Sequence, residues 1–242
     1  MTTTRLICVA LCSSLVACGG AGGTQPPDAA QGSAAARITI AGTAKAQGAG
    51  SSTPLAGVAV GAYKTGDDAA ALATATTDQQ GNYTLEITTG GVALDGYVKA
   101  SITGYLDTYL YPPAPLTSDF TGAALNLVST NLIGLLAQNF CGATSYSSTD
   151  GIVAVAVVNA AMMPVAGATV SATPAAMTYC YNAGSPAVPN KSATMTATDG
   201  LAYMIQVTGE TSLSATKSGS AFNAHTVNSR AGALTTTIIT GQ

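Results

Sequence analysis

The sequence carries no tryptophan, three phenylalanines and a single histidine, and only 8 % of its 242 residues are charged. Each shortage excludes something. A catalytic zinc site of the two-histidine, one-carboxylate kind needs more imidazole than His225 alone supplies. A Ser-His-Asp relay would have to run through that same residue, which stands in the strand-like stretch AFNAHTVNS with no nucleophile-elbow motif in the chain. Asp67, Asp68, Asp78, Asp95 and Asp199 are scattered and do not form the dense alternating carboxylate loop of a strong calcium site, so they read as turn formers. The expectation is a protein that is not an enzyme and uses no cofactor or metal. Basic clusters are also lacking, and the net charge is −3, which argues against nucleic-acid partners.

Long apolar runs are missing too. The longest opens the chain: Arg5 precedes an apolar stretch that ends Leu15-Val16-Ala17-Cys18. It is shorter than the roughly 20 residues a bilayer span needs and has the charged start, apolar middle and small-residue end of a secretory signal. The Leu-Val-Ala-Cys order resembles a bacterial lipobox. That resemblance implies a signal peptide over residues 1–17, lipidation of Cys18, and, with Gly19 next, anchoring at the outer membrane, facing the periplasm or the cell surface. Residues 18–36, rich in Gly, Ala, Ser, Pro and Gln, read as a flexible tether that cannot bury enough apolar surface to order itself.

What is present beyond residue 36 is repetition. Pro54-Leu55-Ala56-Gly57-Val58-Ala59-Val60 returns as Pro164-Val165-Ala166-Gly167-Ala168-Thr169-Val170. Thr77-Asp78 with Gly81 and Tyr83 returns as Thr198-Asp199 with Tyr203, which shortens the second turn by one residue. Val98-Lys99-Ala100 ending at Gly104 returns as Leu213-Ser214-Ala215 ending at Gly219. Val58, Val60 and Ala62 alternate at strand period, as do Tyr83, Leu85 and Ile87 after a tight Asp-Gly turn. ALATATT is the expected hairpin partner of the latter strand. Short strands divided by turns predict an all-β chain of two tandem antiparallel Greek-key sandwiches: residues 37–120, then 150–242, joined by a linker at 121–149.

At these landmarks the chain resembles the carboxypeptidase regulatory-like domain, a transthyretin-like sandwich with the pattern plaGvtV, TdadGrYtl and vkasaeGY. The match is better in the first copy, because Ser220 stands where the first has Tyr105. The resemblance implies a noncatalytic accessory module.

Within the linker, STNLIGLLAQNFCG predicts a short helix. Ser129 or Thr130 would cap it, Leu132, Leu135, Leu136 and Phe140 would share a face, and Gly142 would end it. ALNLVST just before it reads equally well as a strand. Cys141 and Cys180 are the cysteines left after the leader and its lipid site, and an export compartment favours a disulfide between them, with two buried thiols as the alternative. The pair would pin the longer second-copy insertion MTYCYNAGSPAVPNK. In YLDTYLYPP, Tyr105, Asp107, Tyr109 and Tyr111 are expected on one side of a strand, opposite Leu106, Thr108 and Leu110. Such a row can stack on sugars or anchor a partner, or cover a sheet face through cross-strand pairs. Tyr179 and Tyr181 form a second candidate pair. The functional expectation is a noncatalytic envelope lipoprotein acting as a structural or protein-interaction module, or else as a carbohydrate-binding one. It would reach the membrane through its lipid, and an envelope protein or surface glycan through its domains.

Overall fold

The computed structural model describes residues 34–48, 52–184 and 188–242. The leader, the Cys18 lipidation site and most of the tether lie outside the described residues.

Among the described residues the chain is all-β apart from one short helical segment. In the first half β1 (Arg37–Gln47), β2 (Ser52–Pro54), β5 (Asn82–Thr88) and β8 (Phe120–Val128) form one sheet. β3 (Ala59–Lys64), β4 (Ala73–Thr76), β6 (Gly96–Ser101) and β7 (Asp107–Leu110) join a second. The second half adds to that same sheet with β9 (Ile152–Val158), β11 (Thr178–Ala183), β12 (Val188–Asn190), β13 (Leu201–Ile205) and β16 (Ala233–Thr240). It builds a third sheet from β10 (Thr169–Thr173), β14 (Gly209–Thr216) and β15 (His225–Ser229).

The two halves therefore share one nine-stranded sheet, ordered β12-β11-β13-β9-β16-β7-β6-β3-β4. The junction is β16, which runs parallel to β7 on one side and to β9 on the other. Most pairings are antiparallel as expected; β1·β8 is parallel as well. Each half closes in this way, its last strand returning beside its first in the same direction.

Alternation along the shared strands sends the two cores to opposite faces. Val98 and Ala100 of β6 and Leu110 of β7 pack with Ile38, Ile40, Leu85, Ile87, Leu125 and Leu127 of the first half. Tyr97, Tyr109 and Tyr111, their odd-numbered neighbours, pack instead with Val170, Leu213 and Val227 of the second half. One partner sheet thus covers each face, displaced sideways from the other.

The repeat is real, but its register differs from the sequence expectation at one landmark. Thr77 Oγ1 donates to Leu55 O and accepts from Val58 N. Thr196, not Thr198, repeats this, donating to Val165 O and accepting from Ala168 N. Gly81 and Gly200 both take positive φ (76° and 70°) beneath the proline turns. A Cβ on either would stand 2.5 Å from a carbonyl oxygen, Ala44 O or Val157 O. The second turn is accordingly no shorter than the first. Ala202, fully buried, takes the place of Tyr83, and Tyr203 moves to the opposite face, as a one-residue slip requires.

Strand β4 pairs with β3, not with β5 as ALATATT suggested, because the chain crosses between sheets after Thr76. Its second-half counterpart, β11, pairs with β13 instead. The edge of β10 left open by that change is met by side chains. The Tyr181 hydroxyl accepts from Val170 N, and that of Tyr179 from Ala172 N and Ala176 N.

β8, Phe120–Val128, runs from the end of the expected first sandwich into the expected linker of residues 121–149, so the strand reading of ALNLVST is the observed one. The helix follows at once. The Ser129 hydroxyl accepts from Leu132 N at 3.3 Å, α1 runs Thr130–Leu135, and a π-helical turn continues it over Leu136–Phe140. Its inward face is Ile133, Ala137 and Cys141 rather than the leucines, and Leu135 is 45 % exposed. It packs on Leu106 and Val128 of the first half and on Ile152, Ile205 and Leu234 of the second. Cys141 and Cys180 form a disulfide that ties the helix end to β11. Among the described residues no helix is long and apolar enough to cross a membrane.

Candidate functional site

The tyrosine row singled out from the sequence meets the second half at the seam. Asp107, Tyr109 and Tyr111 share a face, but Tyr105 does not join them. It precedes β7, after Gly104 at φ 88°, and packs towards the first-half core. Strand alternation begins only at Asp107, so the row is one residue shorter than the pattern implied.

On the seam face Tyr97 is the centre of a stack. Its ring lies 5.4 Å from that of Tyr63, nearly parallel, and 5.6 and 5.2 Å from those of Tyr109 and Tyr111. Arg230, from the turn between β15 and β16, lays its guanidinium over Tyr109 at 4.2 Å and over Tyr97 at 4.7 Å. It donates to the Tyr111 hydroxyl at 3.0 Å and to Asn228 O at 3.1 Å, and both Asp68 oxygens lie 2.9 Å from Nη2. The Tyr97 hydroxyl donates to the same carboxylate. Lys99 adds a neighbouring layer, paired with Asp107 at 2.8 Å and lying 5.5 Å above the Tyr109 ring. Ser101 Oγ donates to Asp107 at 2.6 Å.

Guanidinium-on-ring contacts and charge-assisted hydrogen bonds are strong in a half-dry setting. The titrations follow from that packing. The hydrogen bond from Tyr97 first, joined by the Arg230 guanidinium, holds the Asp68 carboxyl below its usual range against the opposing effect of burial. Burial first, then Asp68, pushes the Tyr97 phenol up, and burial pushes the Tyr111 phenol up. At neutral pH Arg230 is a cation, Asp68 a carboxylate, and Tyr97 and Tyr111 neutral phenols. Its chemistry is adhesive, with no nucleophile beside a base.

Tyr109 and Tyr111 are two of the four candidate ligand residues of the tyrosine row. The structure leaves them 8 % and 4 % exposed, the Tyr109 ring under Arg230 and the Tyr111 ring against Tyr97 with its hydroxyl on Arg230. Tyr105 and Asp107 are half-buried, and Asp107 is engaged by Lys99 and Ser101. Arg230 and Asp68 were not foreseen. They stand 162 residues apart, and an isolated Arg in a polar turn gives no periodic signal.

His225 sits on β15 opposite Leu213. Burial lowers its pKa, partly offset by Asp95 of the first half, and its Nε2 has no hydrogen-bond partner.

No protein-family model and no curated protein matches the chain. Solved structures give loose superpositions. GBS52, the minor pilin of Streptococcus agalactiae, aligns over 84 % of this chain and 95 % of its own at 13 % identity and a TM-score of 0.28. The shaft pilin spaA of Lactobacillus rhamnosus GG aligns over 85 % and 98 % at 12 % identity and 0.25. The Bacillus anthracis TIE protein aligns over 85 % of this chain at 11 % identity and 0.27, and the match spans 34 % of that longer chain. Superpositions this loose carry no functional argument.

Proposed function

We propose that the chain is a noncatalytic lipoprotein of the cell envelope, a structural or protein-interaction module held at the outer membrane through lipid on Cys18. Its two sandwiches, residues 37–120 with the strand that follows and residues 150–242, act as one stiff body beyond the tether of residues 18–36. The observation that carries this reading is the seam. A sheet continuous through β7 and β16, reinforced by Arg230 among Tyr97, Tyr109 and Tyr111, resists bending between the halves. A body of that kind suits spacing or scaffolding. The resemblance to carboxypeptidase regulatory-like modules points the same way, since those are accessory domains. The partner expected is an envelope protein.

The test is photo-crosslinking of the lipidated protein in its own envelope, with a photoreactive residue at exposed positions such as Val92 and Met177. A discrete protein adduct, lost from the membrane fraction with Cys18→Ala, is the expected result. Two results would overturn the reading: binding on a glycan array that Tyr105→Ala removes, which identifies a carbohydrate-binding lipoprotein, or turnover that His225→Ala removes.

A further inference from the structure

The nine-stranded sheet has a second concave surface, on the face opposite Tyr109, between β8 and the helix. It encloses about 630 Å³, within the range of about 300–1,000 Å³ usual for small-molecule sites. Strand registers fix its floor. One row runs Thr236, Ala154, Tyr203, Cys180; the next runs Ile238, Ala156, Leu201 and, past the Tyr181–Ala202 pair, Asn182. Four strands at about 4.8 Å spacing make that second row about 14 Å long. The two alanines hollow the floor, while Phe120, Leu136 and Phe140 form apolar walls.

One end of this row is polar. Asn182 is 5 % exposed, and its Nδ2 donates to Asp199 Oδ2 at 2.7 Å. A carboxylate only accepts hydrogen bonds, so the amide nitrogen must face Asp199 and the amide oxygen must face away. That oxygen, Asn182 Oδ1, is buried without a partner. An unmet buried acceptor is costly, and a ligand donor can remove that cost. Among the described residues lining the groove, Asp199 is the one charged side chain. It disfavours an anionic head, and no described lining residue is a cation that could receive one.

We propose that this groove binds an elongated apolar molecule with a neutral hydroxyl or amide N–H head, the body lying over Ala154 and Ala156 and the head donating to Asn182 Oδ1. The register slip at Thr196 is part of the site, because it turns Leu201 and Tyr203 to this face and Ala202 to the core. In the repeat's other copy the corresponding surface of β5 faces outward with Thr84, Glu86 and Thr88, and no such floor exists there.

The test is titration of the disulfide-intact protein with octan-1-ol, octanamide and octanoate, followed through the NMR methyl signals of Leu201 and Ile238. The alcohol and the amide should move these signals, with octanoate at least about tenfold weaker, the loss of one hydrogen bond to a buried group. Asn182→Leu should weaken the alcohol and the amide about tenfold, narrowing but not erasing their lead over octanoate, which Asp199 still repels, and Ala156→Phe should block all three while leaving the Asn182–Asp199 pair and the melting temperature near wild type. Methyl signals that ignore the alcohol, octanoate binding as tightly as octanol, or full binding in Ala156→Phe would each overturn the assignment.

Discussion

At the scale of single residues, Arg230 has the largest number of partners at the seam, and its energetics divide unevenly. The side chain of Asp68 is 56 % exposed against 17 % for Arg230, so water screens the ion pair to under about 1 kcal/mol. The ring contacts and the bond to Tyr111 are drier, and cation–π pairs reach about 1–2 kcal/mol when desolvated. Arg230→Met, which keeps apolar contact, should destabilise the protein by about 2 kcal/mol, a melting shift of about 4–8 °C at this size. Asp68→Asn should cost less than half of that. The acid response separates the two. Asp68 has a folded-state pKa below its ordinary value of 3.8, so its contribution is present above that value and is lost as pH falls through the lower one. The melting difference between wild type and Asp68→Asn should be open at pH 6 and narrow as pH falls below 3.8. His225 acts in a different window. Burial lowers its pKa from 6.5, so the stability it contributes as a neutral ring is complete above pH 6.5 and declines as pH falls below it. His225→Gln should flatten the melting temperature between pH 6.5 and 5, and an unchanged slope there would show that the ring is hydrated in both states.

At the scale of elements, the glycines under the proline turns explain why the repeat could be read from sequence and also why its register could not. Gly81 and Gly200 combine positive φ with a carbonyl where Cβ would stand, so Ala at either should cost about 2–4 kcal/mol. Gly104 has positive φ and open space around it, and Ala there should cost only about 1–2 kcal/mol. Urea midpoints of the three variants test the ordering. The Pro-x-x-Gly turns, Val58–Val60 and Tyr83–Leu85–Ile87 alternations and the capped helix were legible because local chemistry writes them. The partner of β4 and the inward face of α1 were not, because the crossing between sheets after Thr76 and the packing of the helix on both halves are set by tertiary contacts. Nor was the position of Tyr203, because it depends on which threonine reaches a proline turn about 20 to 30 residues earlier in the chain. A threonine–aspartate pair looks alike whether it caps the turn or precedes it. The hydrogen bonds of Thr77 and Thr196 decide the matter, and only folding reveals them. The tyrosine row was half legible for the same reason: alternation predicted the shared face of Asp107, Tyr109 and Tyr111, but not the turn at Gly104 that separates Tyr105.

At the scale of the whole molecule, two cores on opposite faces of one sheet raise the question of whether the halves can unfold separately. Separating them would break the β7–β16 ladder, uncover Tyr97, Tyr109 and Tyr111, and strip the helix from the first-half or second-half residues it covers. Each buried aromatic is worth about 1.5–3 kcal/mol of apolar burial, so a half-unfolded species would forgo more than about 5 kcal/mol and stay sparsely populated. Denaturation of the disulfide-intact protein should therefore be a single transition by both near- and far-ultraviolet circular dichroism. The Cys141–Cys180 bridge closes a 39-residue separation, which the chain-entropy treatment values at about 4 kcal/mol. It also holds the helix against β11 and its hairpin. Replacing both cysteines by alanine should lower the urea midpoint and loosen hydrogen-exchange protection first around Cys180 and the helix, with the Ile38–Leu125 core keeping its protection longest. A double variant that melts in two steps, the first reporting on the second half alone, would mean that the shared sheet couples the halves less strongly than its ladder implies.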